Sequence, residues 1–239
     1  MSTTSQFPVI LPAAGIGKRM QSDIPKQYLV ILGKTIIEHT ITSLLSHPNV
    51  SYVVIVLSSN DTIFQTLPLA SNPRVKTTLG GKERADSVLA GLQYLSAQEK
   101  WVLVHDAARP CLKHDDLSNL LALTKSGETG GILASPVRDT MKRGDSNGTI
   151  AHTESRDNLW HALTPQLFPL QQLKSALIEA QQKHVPITDE ASAIEFVNQN
   201  VLLVEGSASN IKVTKPEDLM LAEFYLSQQA NQAHFKDHT

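Results

Sequence analysis

Apolar and polar positions follow two rhythms along the chain. Short, β-branched apolar runs recur at "FPVIL" (7–11), "SYVVIVL" (51–57), "VKTTL" (75–79), "KWVLVH" (100–105), "GGILASPV" (130–137) and "VLLVEG" (201–206). Runs of this length, apolar at successive positions, predict strands buried on both faces. Between them the period lengthens. "TIIEHTITSLLSH" (35–47) puts Ile36, Ile37, Ile41, Leu44 and Leu45 on one helical face, and "ERADSVLAGLQYL" (83–95) does so with Val88, Leu89, Leu92 and Leu95. "DDLSNLLALTK" (115–125) and "PLQQLKSALIEAQQK" (169–183) predict two more helices. A last one starts at "TKPEDLMLAEFYL", with Thr214 as N-cap and Glu217 closing a capping box. Strand and helix in alternation predict an α/β fold, a mostly parallel twisted sheet with helices on both faces.

One stretch breaks the rhythm. Residues 138–158, "RDTMKRGDSNGTIAHTESRDN", are polar, and "NG" at their centre is a hairpin turn signal between short alternating pieces. We read a β-hairpin arm projecting from the sheet. An arm with so few apolar residues does not hold itself up in water, so it is expected to lie on another surface, most simply a second subunit. With no internal repeat or low-complexity linker, residues 1–239 are expected to form one domain with this arm.

Composition narrows the function. The chain has 239 residues, 41% hydrophobic and 18% charged, with net charge −2, so an anion site must be local and a polynucleotide is a poor partner. The single cysteine, Cys111, cannot form an intrachain disulfide and is expected to be a small buried apolar group. The N-terminal "MSTTSQ" is unlike a signal peptide, and no apolar run approaches a transmembrane length. A cytoplasmic protein without membrane contact is expected.

The candidate chemistry sits at the strand ends. "LPAAGIGKRMQSDIPKQ" (11–27) follows the first strand, where ligands bind in open α/β sheets. It is neither a dinucleotide fingerprint, since Met20 stands where the third glycine belongs, nor a Walker A loop. Gly15 and Gly17 still let backbone N–H groups approach phosphate oxygens, and Lys18, Arg19 and Lys26 supply charge. "VHDAARP" ends a strand with Asp106 and then Arg109, a position that suits Mg²⁺, a sugar hydroxyl or an ion pair within the turn. "GGKERADS" opens a helix whose free N–H groups face a base, a phosphate or only the turn itself. "SNIKVTKPEDL" places Lys212 on a short strand between Ile211 and Val213, pointing to the opposite face, cleft or solvent. His105, His152 and His161 form no metal-like cluster, and Trp101 and Trp160 are expected to be packing anchors.

"PAAGIGKRM" with "PKQ", "GGKERADSV", "HDAARP", "PVRDTMKR", "LWHALTPQLF", "TDEAS" and "NIKVTKPEDL", in this order, resemble the 2-C-methyl-D-erythritol 4-phosphate cytidylyltransferases of the non-mevalonate isoprenoid pathway. The match runs from about residue 8 to about residue 226. The resemblance implies a Rossmann-like nucleotidyltransferase fold, a homodimer joined through the β-arm, and transfer of the cytidylyl group of CTP to methylerythritol phosphate with Mg²⁺ or another divalent cation. It implies that Arg19 and Lys26 stabilise the transition state, and that Arg156 and Lys212 orient the sugar phosphate. Ala13, Ala14 and Gly15 would line the nucleotide, and Gly80, Gly81, Lys82 and Ser87 the cytosine. Asp106, Arg109, Asp139, Thr140 and Thr164 would contact the substrate, with Asp106 also the candidate metal ligand. Thr140 and Arg156, on or beside the arm, would complete the partner's site. Asp189 and Glu190 open a helix, where they suit the dipole or support the site. Lys82 departs from relatives that carry an acidic residue there, and the polar tail "QQANQAHFKDHT" is unlike the start of the second domain of a bifunctional fusion. The alternatives are a cytidylyltransferase for ribitol 5-phosphate or a similar polyol phosphate, and a nucleotide-binding regulator without catalysis.

Overall fold

The computed structural model describes residues 5–15, 24–125, 127 and 130–231, and the backbone of 232–236. β1 (Phe7–Pro12) leads to a 3₁₀ turn (Lys26–Tyr28) and a small ribbon, β2 (Val30–Ile31) and β3 (Lys34–Thr35). Then come α1 (Ile36–Ser46), β4 (Val50–Leu57), β5 (Val75–Leu79), α2 (Arg84–Tyr94), β6 (Trp101–Val104) and α3 (His114–Leu121). The second half holds β7 (Gly131–Pro136), β8 (Met141–Gly144), β9 (Ile150–Glu154), β10 (Trp160–Pro169), α4 (Leu170–Gln182), α5 (Glu190–Phe196), β11 (Leu202–Glu205) and α6 (Pro216–Lys236).

Among the described residues, seven strands form one sheet in the order β11-β7-β10-β6-β1-β4-β5. β1 runs parallel to β4 and β6, β4 to β5, and β11 to β7. β10 runs antiparallel to both its neighbours, β6 and β7. The strands β1, β4, β6 and β7 are apolar at successive positions because both faces are covered, whereas the edge strands β5 and β11 stay partly exposed. Val9 and Leu11 of β1 pack with Ile37, Ile41 and Leu44 of α1 and with Leu117 and Leu120 of α3. Ile10, pointing the other way, packs with Val88 and Leu92 of α2 in a layer that α4 and α5 complete. α2 lies directly on the sheet: a Cβ at Gly91 would come 2.6 Å from the Ile10 side chain. α1 begins at a capping box in which Thr35 Oγ1 accepts the Glu38 N–H (3.3 Å) and the Glu38 carboxylate accepts the Thr35 N–H (2.9 Å). Cys111 is buried beside Ala222 of α6.

The arm is the tip of a longer hairpin. β7 and β10 pair from Trp160 opposite Pro136, and between them β8 and β9 pair from Met141 opposite Glu154. Its turn is held by the Asp145 carboxylate, which accepts the Asn147 and Thr149 N–H groups, and Gly148 takes the positive φ the turn needs.

Three expectations are corrected. β10 is absent from the strands read from apolar runs, because Pro165 and Gln166 interrupt its pattern; the register shifts between Ala162 and Gln166. Lys212 does not lie on a strand: the Val213 N–H donates to Ala108 O (2.9 Å), and no ladder extends from it. Thr214 is not paired with Glu217. α6 starts at Pro216, the favoured first helical position for proline, so the third helical residue is Asp218. Its carboxylate accepts the Thr214 N–H (2.8 Å), the Thr214 hydroxyl (2.9 Å) and the Lys215 N–H (2.8 Å).

Candidate active site

A cleft opens beyond the carboxyl ends of β1 and β6. Ala13, Ala14 and Gly15 form one wall; the others are Lys26 and Gln27, residues 81–84 with Ser87, residues 106–108, and Lys212. The 3₁₀ turn is tied to two of these walls. The buried Gln27 Nε2 donates to Ala13 O (2.7 Å), and Lys26 Nζ donates to Val213 O (2.8 Å). The glycines before α2 are there for close approach. A Cβ on Gly80 would come 2.6 Å from Ser87 Oγ, and one on Gly81 2.4 Å from Asp86 Cβ. The Gly81 N–H donates to Ser87 Oγ (3.2 Å), which in turn donates to Glu83 O (3.1 Å).

Asp106, just past β6, is the electrostatic centre. Its Oδ1 faces Arg84 Nη2 (3.3 Å), and its Oδ2 faces Arg109 Nε (3.3 Å) and Lys212 Nζ (2.9 Å). Burial opposes its charge, but Lys212, then Arg84 and Arg109, hold its carboxyl well below the usual carboxylate range. The Asp106 N–H donates to Thr164 Oγ1 (3.0 Å). Arg109 O can only accept, so His105 Nε2–H donates to it (3.1 Å), and Nδ1 of the neutral ring accepts from the Thr164 hydroxyl (2.9 Å). Burial pushes the His105 imidazole down to about 4, against the pull of Asp106, so the ring is neutral in this tautomer near pH 7. Arg109 Nη1 donates to Asn210 O (2.7 Å), and Asn210 Nδ2 donates to Thr164 O (2.7 Å).

Arg84 has a second carboxylate. Its Nη1 and Nη2 reach Glu190 Oε1 (2.5 Å) and Oε2 (3.2 Å). Burial works against the Arg84 charge, but Glu190 and then Asp106 raise its pKa. Burial raises the Glu190 carboxyl and Arg84 pulls it back; two N–H groups on two oxygens is the geometry of a carboxylate on a guanidinium. Cations outnumber carboxylates across this cluster, which suits a polyanionic ligand.

The structure thus brings Ala13, Ala14, Gly15, Lys26, Gly81, Lys82, Ser87, Asp106 and Lys212 to one cleft, with Gly80 packed behind Ser87. Arg19 lies outside the described residues. Arg109 and Thr164 are buried behind Asp106 and do not line the cleft. Asp139, Thr140 and Arg156 are exposed at the base of the arm and do not line their own chain's cleft, with Arg156 Nη1 on Arg138 O (2.8 Å). Sequence reasoning passed over Arg84 and the pairing of Glu190 with it. A signal existed: Arg84 is the first residue of α2, where a cation opposes the helix dipole and needs a compensating partner.

The family model for 2-C-methyl-D-erythritol 4-phosphate cytidylyltransferase matches residues 7–228. A relative of that name from Pseudoalteromonas atlantica is 61% identical over 230 residues, 96% of this chain and 99% of its own. One from Yersinia pseudotuberculosis is 59% identical over 220 residues, 92% of this chain and 91% of its own. The crystal structure of the Francisella tularensis 2-C-methyl-D-erythritol 4-phosphate cytidylyltransferase superposes with a TM-score of 0.80 at 36% identity, covering 92% of this chain and all of that one. With the family model matched from the first strand into the last helix, and with relatives this similar over nearly their whole length, the chain belongs to the 2-C-methyl-D-erythritol 4-phosphate cytidylyltransferase family.

Proposed function

We propose a division of labour within the cleft for the reaction the chain catalyses as a family member. It transfers the cytidylyl group of CTP to 2-C-methyl-D-erythritol 4-phosphate, releasing pyrophosphate, in isoprenoid precursor biosynthesis. A phosphate oxygen of the sugar phosphate attacks the α-phosphorus, and pyrophosphate leaves in line. Such a step needs positioning and charge stabilisation more than covalent help.

The nucleotide lies along Ala13, Ala14 and Gly15, with cytosine against Gly80, Gly81, Lys82 and Ser87. Lys26 and Arg19 stabilise charge on the α-phosphate and the departing pyrophosphate. Lys212 grips the sugar phosphate after exchanging from Asp106, which then faces the substrate hydroxyls. Arg109 and Thr164 act from behind, holding Asp106 in place. The cation set on Asp106, at the ends of parallel strands, carries this reading.

Among the described residues, no group of three or more His, Cys, Asp or Glu side chains is placed to hold a metal ion, and both Asp106 oxygens face cations. This donor set does not fit a resident metal. A divalent cation enters as part of the substrate, the Mg²⁺–CTP complex, held by phosphate oxygens. Asp139, Thr140 and Arg156 serve the partner's cleft in a homodimer joined through the arm. The exposure of all three supports this. We place the chain in the cytoplasm, where CTP is made and used.

The test is pyrophosphate release with Mg²⁺ and CTP, offering methylerythritol 4-phosphate and ribitol 5-phosphate in parallel. Release is expected with the first alone. A charge contact made chiefly in the transition state is worth about 3 kcal/mol, so Lys26→Ala should lose roughly a hundredfold in kcat while staying folded. Near-normal turnover in that variant would remove Lys26 from the mechanism.

A further inference from the structure

Glu190 is 1% exposed and does not line the cleft, yet its pair with Arg84 is the shortest ion pair among the described residues. A carboxylate buried this deeply is retained only where its oxygens are well served. Its place is fixed from three sides. Asp189 caps α5 by accepting the Ser192 N–H (3.0 Å). Gln166 of β10 donates to the Asp189 carboxylate (2.9 Å) and accepts the Ala191 N–H (2.9 Å). The residue between Asp189 and Ala191 is therefore aimed at Arg84.

Arg84 is shared: the Nη2 that meets Glu190 Oε2 also meets Asp106 Oδ1. Of the cations on Asp106, Arg109 is buried and anchored to Asn210 O, and Arg84 is clamped by Glu190. Lys212, with its side chain 36% exposed, lines the cleft and pairs with no second carboxylate among the described residues. If Lys212 leaves for a phosphate, Asp106 keeps two guanidinium partners and its buried charge stays compensated. Without Glu190, Arg84 lines the same cleft and would compete with Lys212 for the phosphate.

We propose that Glu190 is a positioning residue: it fixes Arg84 on Asp106, and so makes Lys212 the cation that exchanges from Asp106 to the incoming sugar phosphate. This rests on the reading that Lys212 binds that phosphate.

The test is a double-mutant cycle on the full-length enzyme, with Glu190→Gln and Lys212→Ala, singly and together. With Lys212 present, Glu190→Gln should raise KM for methylerythritol phosphate about tenfold, while KM for CTP moves less than about twofold. In the Lys212→Ala background, Glu190→Gln should add less than about twofold, because its route is already gone. An equal penalty in both backgrounds overturns the proposal. So does a loss of kcat that tracks the folded fraction with both KM values unchanged. If Lys212→Ala alone leaves KM for the sugar phosphate unchanged, the Lys212 assignment has failed, and the route through it falls with it. Should Glu190→Gln not fold, Glu190→Asp, which withdraws the charge by one methylene, carries the same comparison.

Discussion

At the residue scale, the useful property of the cleft is an imbalance around Asp106. Arg84, Arg109 and Lys212 share two carboxylate oxygens, so one cation can be traded for a phosphate without leaving a bare buried charge. Asp106 and Lys26 were legible in the sequence because they follow a strand end and a glycine-bearing turn, and Lys212 because it is a lone cation between two β-branched residues, although the strand expected there does not form. Glu190 was legible only as a helix-start acid, since its local capping value hides its long-range pairing. Another buried group sets a pH dependence. His47 is 2% exposed; its Nδ1 accepts the Asn49 N–H (3.2 Å), so its Nε2–H donates to Ser118 Oγ (3.0 Å). Burial, and then the nearby His114, lower its pKa below the ordinary 6.5. The unfolded chain therefore takes up a proton near pH 6.5 that the folded one refuses. The contribution of neutral His47 is fully present above pH 6.5 and is lost as pH falls below it. The stability gap between the wild type and His47→Gln should narrow as pH drops from about 7.5 to about 5 in urea melts. A constant gap would show that His47 does not titrate differently in the two states.

At the scale of elements, β1, β4, β6 and β7 are legible as strands because their residues are largely buried on both faces, and the half-exposed edge strands β5 and β11 because their runs are still rich in β-branched and apolar residues. β10 has a different duty. It carries Thr164, which receives the Asp106 N–H, and Gln166, which fixes the start of α5. Polar residues with those tasks break the apolar pattern by which strands are recognised, so this element was hidden by its own function. The start of α6 was misread by one residue for a local reason, the choice between Glu217 and Asp218 as the capping acid, which the position of Pro216 decides. Gln166 gives a test at this scale. Gln166→Leu leaves the buried Ala191 N–H without its acceptor, and should lower unfolding free energy by about 1–3 kcal/mol. An unchanged urea midpoint would mean that α5 holds its start without β10.

At the scale of the whole molecule, the arm is the far end of the β7–β10 hairpin, so its aim is set by strands next to the cleft. "NG" made the arm legible; where it docks was not, because one chain carries only half of a contact between two. If it docks on a second copy, defects in different subunits should complement. Lys26→Ala and Arg156→Ala, each nearly inactive alone, should regain about a quarter of wild-type sites on random mixing, since half of the dimers are mixed and each has one intact site. No recovery after subunit exchange would count against a shared site.

β10, the lone antiparallel strand of the seven-stranded sheet, also divides the chain into two blocks. β5, β4, β1 and β6 belong to the first and β10, β7 and β11 to the second, meeting along a seam where Gln166, Leu167, Phe168 and Pro169 face Val104, Leu103, Val102 and Trp101. The contacts that shape the cleft are stitched across that seam: Arg84 to Glu190, Asp106 to Lys212 and Thr164, Arg109 to Asn210. A fluctuation that parts the blocks therefore breaks these cleft contacts together. On the proposed division of labour, a nucleotide and sugar phosphate would lie across the seam as a clasp, tying turnover and the cohesion of the molecule to the same few atoms.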